Sequence, residues 1–272
     1  MNAPSPSRSR LRRHSLPVLA FLLLYALPVT VSWLKHPGGQ AHADAWRTGR
    51  QDSAGIAPAV PTGQAGIQAW CARVVRWRGA FGVHCWIAAK PVGHDTWTRF
   101  EVIGWQVRQG GQAVRVAPGI PDAHWFGERP TLIRELRGGA EVDALIGRLH
   151  AASRDYPHNR EYRMWPGPNS NTYIAYLGRA VPELSLDLPP TAIGKDYLPG
   201  GAVFGRPASG TGVQFSLAGL FGLVLSPQEG LELNVLGLTA GLDVWPPALK
   251  LPGIGRVGLP SEPAVGLARA AR

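Results

Sequence analysis

The chain is short of charged residues, and several protein classes can be excluded on that basis. Only 17% of its 272 residues are charged, while 45% are hydrophobic. That balance excludes a disordered chain. Its 34 glycines and 25 prolines follow no three-residue period, which excludes collagen. The length is enough for one large domain or two small ones with a buried core.

Acidic residues are missing altogether from residues 1–43, which hold five of the 28 basic residues. The remaining 23 Lys and Arg are matched by 18 Asp and Glu, so half of the net charge of +10 belongs to this N-terminal part. Elsewhere the basic excess is diffuse, without a basic stripe or a basic and aromatic cluster. We therefore expect no nucleic-acid partner.

A long apolar run follows the N-terminal arginines. Residues 16–34 carry no charged side chain, and four arginines lie within residues 8–13. Such a run can cross a bilayer core of about 30 Å as a helix, with the arginines on the cytoplasmic side. We predict a basic cytoplasmic segment over residues 1–15 and a transmembrane helix over 16–34. A cleaved signal ending at the small residues 41–43, or a buried core helix, is the alternative.

The rest of the chain predicts a linker over residues 35–61, a single α+β domain over 62–259 and an irregular tail over 260–272. Its sheet should be mostly antiparallel, with helices packed against it. Hydrophobic spacing predicts the following elements. The helices are expected over 65–78, 141–152 and 171–181, and the strands over 83–89, 98–106 and 113–116.

The C-terminal third contains two apolar stretches interrupted by glycine, residues 212–225 and 231–244. Leu231, Leu233 and Val235 alternate with polar residues, which favours a β-hairpin that completes the sheet. A surface that dips into the membrane interface is the alternative. After Trp245 we expect irregular surface chain.

The most informative segment for chemistry is the proline- and asparagine-rich loop at residues 165–173, which leads into a predicted helix. Asn169, Ser170 and Asn171 are good helix caps, and capping alone could explain them. A hydroxyl at a helix N-terminus also lies among unpaired N–H groups, which stabilise an anionic nucleophile or an oxyanion. Ser170 is therefore also a candidate nucleophile.

A serine nucleophile needs a base, and His84 is the candidate because it lies within a predicted strand. Strand alternation places His84 on one face with Trp86, and Cys85 on the other face. A structural, hydrogen-bonded histidine is the alternative role. The spacing of the other histidines matches no zinc motif, so we predict no metal and no cofactor.

The two cysteines, Cys71 and Cys85, can form a disulfide in an exported domain. A Cys71 nucleophile with His84 as its base is the alternative. Neither a Gly-x-Ser-x-Gly elbow nor a phosphate-binding glycine loop is present in the sequence, which removes the common hydrolase and nucleotide-binding interpretations.

Six separate blocks between residues 44 and 259 stand out: His84–Pro91, Glu101–Trp105, Trp125–Gly127, Trp165–Tyr173, Leu188–Asp196 and Pro246–Gly253. Together they resemble the bacterial domain-of-unknown-function family 3750. That resemblance implies no activity, but the family's N-terminal hydrophobic segment favours a membrane location. With the arginines on the cytoplasmic side, we predict a bacterial inner-membrane protein that crosses the membrane once and places its C-terminal domain in the periplasm.

The order of His84 on a strand and Asn169-Ser170 at a later helix start is similar to that of circularly permuted NlpC-type papain-like proteins. In that superfamily a cysteine stands where this chain has Ser170. The resemblance implies a papain-like fold. It also implies a catalytic pair, in which serine needs a stronger base than a thiol does.

Two functions follow from these residues. The first is a membrane-anchored domain that binds an envelope component, such as peptidoglycan or lipid, through a cleft around His84 and Ser170. The second is a serine hydrolase or acyltransferase acting on peptidoglycan peptides or lipid acyl groups. In the enzyme, His84 is the base and Ser170 the nucleophile, and Asn169 or Asn171 orients the imidazole or stabilises the oxyanion. The sequence does not determine the oligomeric state.

Overall fold

The computed structural model describes residues 19–36 and 51–259 of the chain. The predicted segments 1–15 and 260–272 and the small residues 41–43 lie outside this part. The described residues form two antiparallel sheets with packed helices, which confirms the α+β class. The first sheet has five strands in the order β4-β3-β2-β1-β5, and the second has seven in the order β12 to β6.

The first sheet contains β1 Ala65–Arg73, β2 Val83–Lys90, β3 Thr98–Val102, β4 Val114–Pro118 and β5 Thr131–Gly138. The second contains β6 Phe204–Gly205, β7 Val213–Leu217, β8 Phe221–Ser226, β9 Gly230–Val235, β10 Leu238–Asp243, β11 Ala248–Leu251 and β12 Gly255–Gly258. The α-helices are α1 Leu27–Lys35, α2 Gly104–Arg108, α3 Ala140–Arg154 and α4 Ser170–Ala180.

Both faces of the first sheet are buried, each by a different layer. On one face Cys85, Ile87 and Phe100 belong to the main core with helices α3 and α4. On the other face Trp70, Trp86 and Trp125 form a second, smaller core, and we call this side the tryptophan face. The predicted alternation in β2, with His84 beside Trp86 and opposite Cys85, is confirmed.

The helix predicted over residues 65–78 is wrong, because Ala65–Arg73 is the strand β1. This strand is buried on both faces between β2 and β5, so it has no polar alternation and its apolar residues also fit helical spacing. Cys71 lies directly opposite Cys85, and the two form a disulfide. A disulfide-bonded Cys71 supplies no free thiolate, so the cysteine-nucleophile alternative is wrong.

Other predictions for the first sheet are confirmed with small shifts. Helices α3 and α4 lie where the amphipathic spacing placed them, and the strands β2 and β4 are present. Strand β3 ends at Val102, and the short helix α2 replaces the end of the predicted strand over 98–106. Part of the predicted linker is fixed to this domain, because the Asp122 carboxylate accepts the backbone N–H groups of Ile56 and Ala57.

The C-terminal third forms its own sheet, so the prediction of a hairpin completing the first sheet is wrong. Each apolar stretch holds two strands, β7 with β8 and β9 with β10, because glycine-containing turns divide them. The chain after Trp245 adds β11 and β12, which corrects the prediction of irregular structure there.

A helical segment occupies residues 19–35, with π-helical geometry at Leu22–Ala26 before α1. It is held against the second sheet, because the Tyr25 hydroxyl donates to the Leu233 carbonyl at 2.8 Å. The Ser32 hydroxyl bonds the carbonyls of Ala80 and Gly253. No helix in the described part of the chain is long and apolar enough to span a bilayer, so the transmembrane prediction is not supported.

Candidate functional site

The start of helix α4 is fixed by Asn169. Its side-chain oxygen accepts the N–H groups of Asn171 and Thr172, and Thr172 Oγ1 accepts the N–H of Asn169, which together make a capping box. The side-chain amide of Asn169 donates to the carbonyls of Met164 and Ile193 at 3.0 Å. Asn169 therefore caps the helix as predicted, and both the oxygen and the nitrogen of its side-chain amide form hydrogen bonds.

Asn171 connects this helix start to the strand that carries His84. Its amide donates to the carbonyls of Val83 and Ile193 at 2.9 Å, and Val83 directly precedes His84. Ser170 is 7% exposed, and its hydroxyl forms no hydrogen bond with any residue that the structure describes. The fold thus brings a free hydroxyl at a helix N-terminus close to the beginning of β2.

The His84 side chain lies on the tryptophan face. Its ring stacks on Trp125, with centroids 3.6 Å apart, and is 5.9 Å from the ring of Trp86. Its Nε2 atom is 3.7 Å from Glu101 Oε2, beyond hydrogen-bond length, and is buried without a partner among the described residues. Burial lowers the pKa of His84, and Glu101 only partly offsets this, so the ring is neutral at pH 7.

Glu101 is the centre of a buried charged cluster on this face. Its carboxylate accepts from Arg99 at 2.6 Å and from Arg115 at 2.7 Å. Burial alone would raise the pKa of Glu101, but the neighbouring His84 and the charge of Arg99 bring it down to about 2. The Arg99 guanidinium also lies 4.5 Å above the Trp86 ring, a cation–π contact. The carboxylate is therefore ionised, and the cluster carries a net positive charge.

An open groove of about 580 Å³ lies beside this cluster. Arg115 connects the two, because its guanidinium binds the buried Glu101 while its side chain also lines the groove. Three amide side chains line the groove as well, from Gln106, Gln109 and Gln112. Amides and a guanidinium are the groups that bind carboxylates and peptide bonds.

The predicted site residues are therefore only partly brought together. Ser170, Asn169 and Asn171 lie around the start of α4, whose core residues pack on the Cys85 face of the sheet. His84 points to the opposite, tryptophan face. No hydrogen bond joins His84 to Ser170 in the described chain.

Sequence reasoning missed Arg99, Glu101, Arg115 and the groove. A signal was present, because Arg99 and Glu101 alternate with Phe100 and Val102 in β3 just as His84 alternates with Cys85 in β2. Charged residues at inward positions of a strand indicate a buried polar cluster. The sequence pattern does not show that Ala88 pairs with Arg99, and this pairing is what brings β3 alongside β2.

A second buried charged cluster lies under the seven-stranded sheet. Lys195 donates to both carboxylate oxygens of Glu232, at 2.9 and 2.6 Å, and Lys250 donates to Glu232 and Asp187. Attraction to Glu232 outweighs burial and raises the pKa of Lys195. All four charges are paired, so this cluster fastens the sheet to the chain segment 187–195. It presents no free group for chemistry.

These features define an α+β domain with a buried His–Glu–Arg cluster next to an amide-lined groove. Residues 64–197, about half of the chain, match the model of a family described as "Protein of unknown function (DUF3750)". The match contains the whole first sheet, His84, Glu101 and Ser170, whereas the seven-stranded sheet lies outside it. The family resemblance is confirmed over that range. No curated protein and no solved structure matches the chain.

Proposed function

We propose that this domain binds an acidic peptide of the cell envelope, such as a peptidoglycan peptide, in the groove beside Arg115. The observation that carries the proposal is the double role of Arg115, which reaches from the buried Glu101 to the wall of the groove. Glu101 fixes one side of the guanidinium, which leaves its other N–H groups to bind a carboxylate. An N-terminal membrane attachment would hold the domain close to this ligand.

Aromatic rings beside the cluster support the same ligand class. Trp105 is half exposed, and its ring lies 6.4 Å from Trp125 and 5.9 Å from Phe126. Such a surface offers stacking area next to the polar groove. Stacking and hydrogen bonding together would suit a peptide attached to a sugar.

Titration of the full chain with soluble peptidoglycan fragments tests this proposal. Arg115→Gln should weaken binding about tenfold or more, since hydrogen bonds to charged groups contribute about 1.5–3 kcal/mol. Gln109→Ala should weaken binding without disturbing Glu101, which separates groove contacts from stability effects. Arg108→Gln, an exposed arginine of the same helix region, is the matched control. Equal affinity of all four proteins would contradict the proposal.

A second function, a serine hydrolase or acyltransferase, is favoured by the free Ser170 hydroxyl at the start of α4. In this function Ser170 is the nucleophile, His84 the base, and Asn169 or Asn171 a positioning group, as in the NlpC-type resemblance. His84 extends from the opposite face of the sheet, so a change of its side-chain rotamer cannot bring it to Ser170, and this function requires strand β2 to rearrange at its start. Labelling by a fluorophosphonate that is lost in Ser170→Ala and His84→Gln, but kept in Ser185→Ala, would support it. Absence of labelling in the wild-type chain would count against it.

A further inference from the structure

The seven-stranded sheet has its polar and apolar side chains on unexpected faces. In β8, Val224 and Ser226 point inward, whereas Phe221, Leu223 and Leu225 point outward and are exposed. Antiparallel sheets with one solvated face normally place apolar residues inward and polar residues outward. This sheet does the reverse.

The same inversion continues across the neighbouring strands. The inward residues are mostly polar or charged, and the outward ones are mostly leucine, valine and phenylalanine. The inward set is Gln214, Ser216, Glu232, Asn234, Thr239, Asp243 and Lys250. The exposed outward set is Val213, Leu217, Leu231, Leu242, Leu249 and Val257, and we call this side the outer face.

The inward polar residues all have partners, so the inversion is not a packing fault. Asn234 donates to the Asp196 carboxylate at 3.0 Å, and Glu232 binds Lys195 and Lys250. Hydrogen bonds and ion pairs therefore satisfy the polar groups on the inner face of the sheet. The apolar side chains on the outer face do not take part in this interior. Their presence there needs another explanation.

No strand residue on the outer face carries a charge in the described part of the chain. Seven strands about 4.8 Å apart make this face roughly 30 Å wide. Protein-binding surfaces are only about 56–65% apolar and carry hydrogen-bonding groups that give specificity. A wide apolar face without such groups fits a hydrocarbon phase better than a folded partner.

Aromatic side chains lie at the margins of this face. Phe204, on the edge strand β6, is 76% exposed, and Trp245, in the turn between β10 and β11, is 86% exposed. Tryptophan and other aromatic residues are enriched where proteins meet the headgroup region of a bilayer.

The N-terminal helical segment adds to the apolar surface and supplies charge complementarity. It contacts the sheet through Tyr25. Pro28 is also buried and Val29 and Val31 are partly buried, whereas most of the apolar residues before them stay exposed. Four arginines precede it in the sequence, within residues 8–13, and basic residues near a membrane are attracted to anionic headgroups. The exposed apolar residues are Leu19, Phe21, Leu22, Leu23, Leu24 and Leu27.

We infer that the outer face of the seven-stranded sheet lies on an anionic phospholipid bilayer, with the N-terminal helical segment beside it in the interface. The inference rests on the N-terminal membrane attachment proposed above. It adds a second contact with the bilayer, made by the sheet. The domain would then lie flat on the membrane. The groove beside Arg115 belongs to the other sheet and does not depend on this contact.

Flotation of the full chain with vesicles of phosphatidylcholine and phosphatidylglycerol, 3:1, tests the inference. The variant Leu225→Glu/Leu242→Glu places two charges on the outer face, on either side of Leu231. It should reduce the fraction bound at least tenfold. The matched control Ile120→Glu/Val92→Glu adds the same charges at exposed apolar positions of the first sheet's side of the molecule and should float like the wild type.

Equal flotation of the wild type and the outer-face variant would overturn the sheet contact while leaving attachment by the helix intact. Failure of the wild type to float would overturn both. A stable wild-type oligomer that does not float, and that Leu225→Glu/Leu242→Glu dissociates, would assign the outer face to a second copy instead. Equal losses in the variant and its control would overturn the assignment to the outer face.

Discussion

The five-stranded and seven-stranded sheets differ in where they place their apolar side chains. The first encloses Ile87, Phe100 and Leu136 under helices and three tryptophans on its other face. The second encloses paired charges such as Lys195 and Glu232 and leaves leucines outside. Water favours the first arrangement, whereas the second is favoured when an apolar phase covers the outer face. The exposed leucines of the second sheet therefore fit the contact with an apolar phase that we infer above.

The largest difference should come from removing one tryptophan from each sheet's side of the molecule. Trp86 is fully buried, and its indole N–H donates to the Pro121 carbonyl at 2.7 Å. Trp86→Ala should lower the free energy of unfolding by about 4 kcal/mol. Trp245→Ala should change it by less than about 0.5 kcal/mol. Denaturant unfolding of both variants checks this, and similar losses would mean that Trp245 is also packed.

Removing a buried charge from the inner face of the second sheet should lower the free energy of unfolding about as much as truncating an apolar core residue does. Glu232→Gln leaves Lys195 and Lys250 buried with one carboxylate fewer, so we expect a loss of about 3–5 kcal/mol. Glu183→Gln is the control, since its pair with Arg148 is exposed and should contribute about 1 kcal/mol or less. Equal effects in thermal unfolding would show that the interior pairs are solvated.

Acid should weaken the first sheet through Glu101. Its pKa is about 2 in the folded protein against an ordinary value of 4.5. This depressed pKa contributes stability that is present above pH 4.5 and lost as the pH falls towards 2, by up to about 3 kcal/mol. Glu101→Gln should therefore flatten the dependence of unfolding free energy on pH across that range. The same slope in variant and wild type would contradict the assignment.

The smallest effect on stability should come from the outer face. Leu225→Glu/Leu242→Glu replaces two exposed side chains, so it should change the unfolding free energy by less than about 0.5 kcal/mol in solution. Circular dichroism during heating, without lipid, measures this. A loss of several kcal/mol would mean that these leucines support the fold itself.

Much of the first sheet could be predicted from local pattern. Helix α3 has a clear apolar stripe, including Val142, Ile146 and Leu149, and the capping signal of Asn169 and the alternation around His84 were also visible. Strand β1 could not be recognised, because burial on both faces removes the period of two. The disulfide depends on the register between β1 and β2, which places Cys71 opposite Cys85.

The candidate site was less predictable, because it depends on contacts between distant strands. The sequence identifies His84 and Ser170 as candidate residue types. It does not show that His84 points to the tryptophan face while Ser170 starts a helix on the opposite side of the sheet. In the second sheet the alternation of Leu231, Glu232 and Leu233 was visible. Which set points inward could not be read from it, since either face could be the buried one.

An environment-sensitive label on the outer face would report whether this face contacts lipid. The native cysteines form a disulfide, so Leu223→Cys offers a single thiol for a nitrobenzoxadiazole dye, with Ile120→Cys as the matched control. Anionic vesicles should shift the emission of the Leu223 label to shorter wavelength and raise its intensity, and leave the Ile120 label unchanged. No shift at Leu223, or equal shifts at both positions, would show that the outer face does not bind the bilayer.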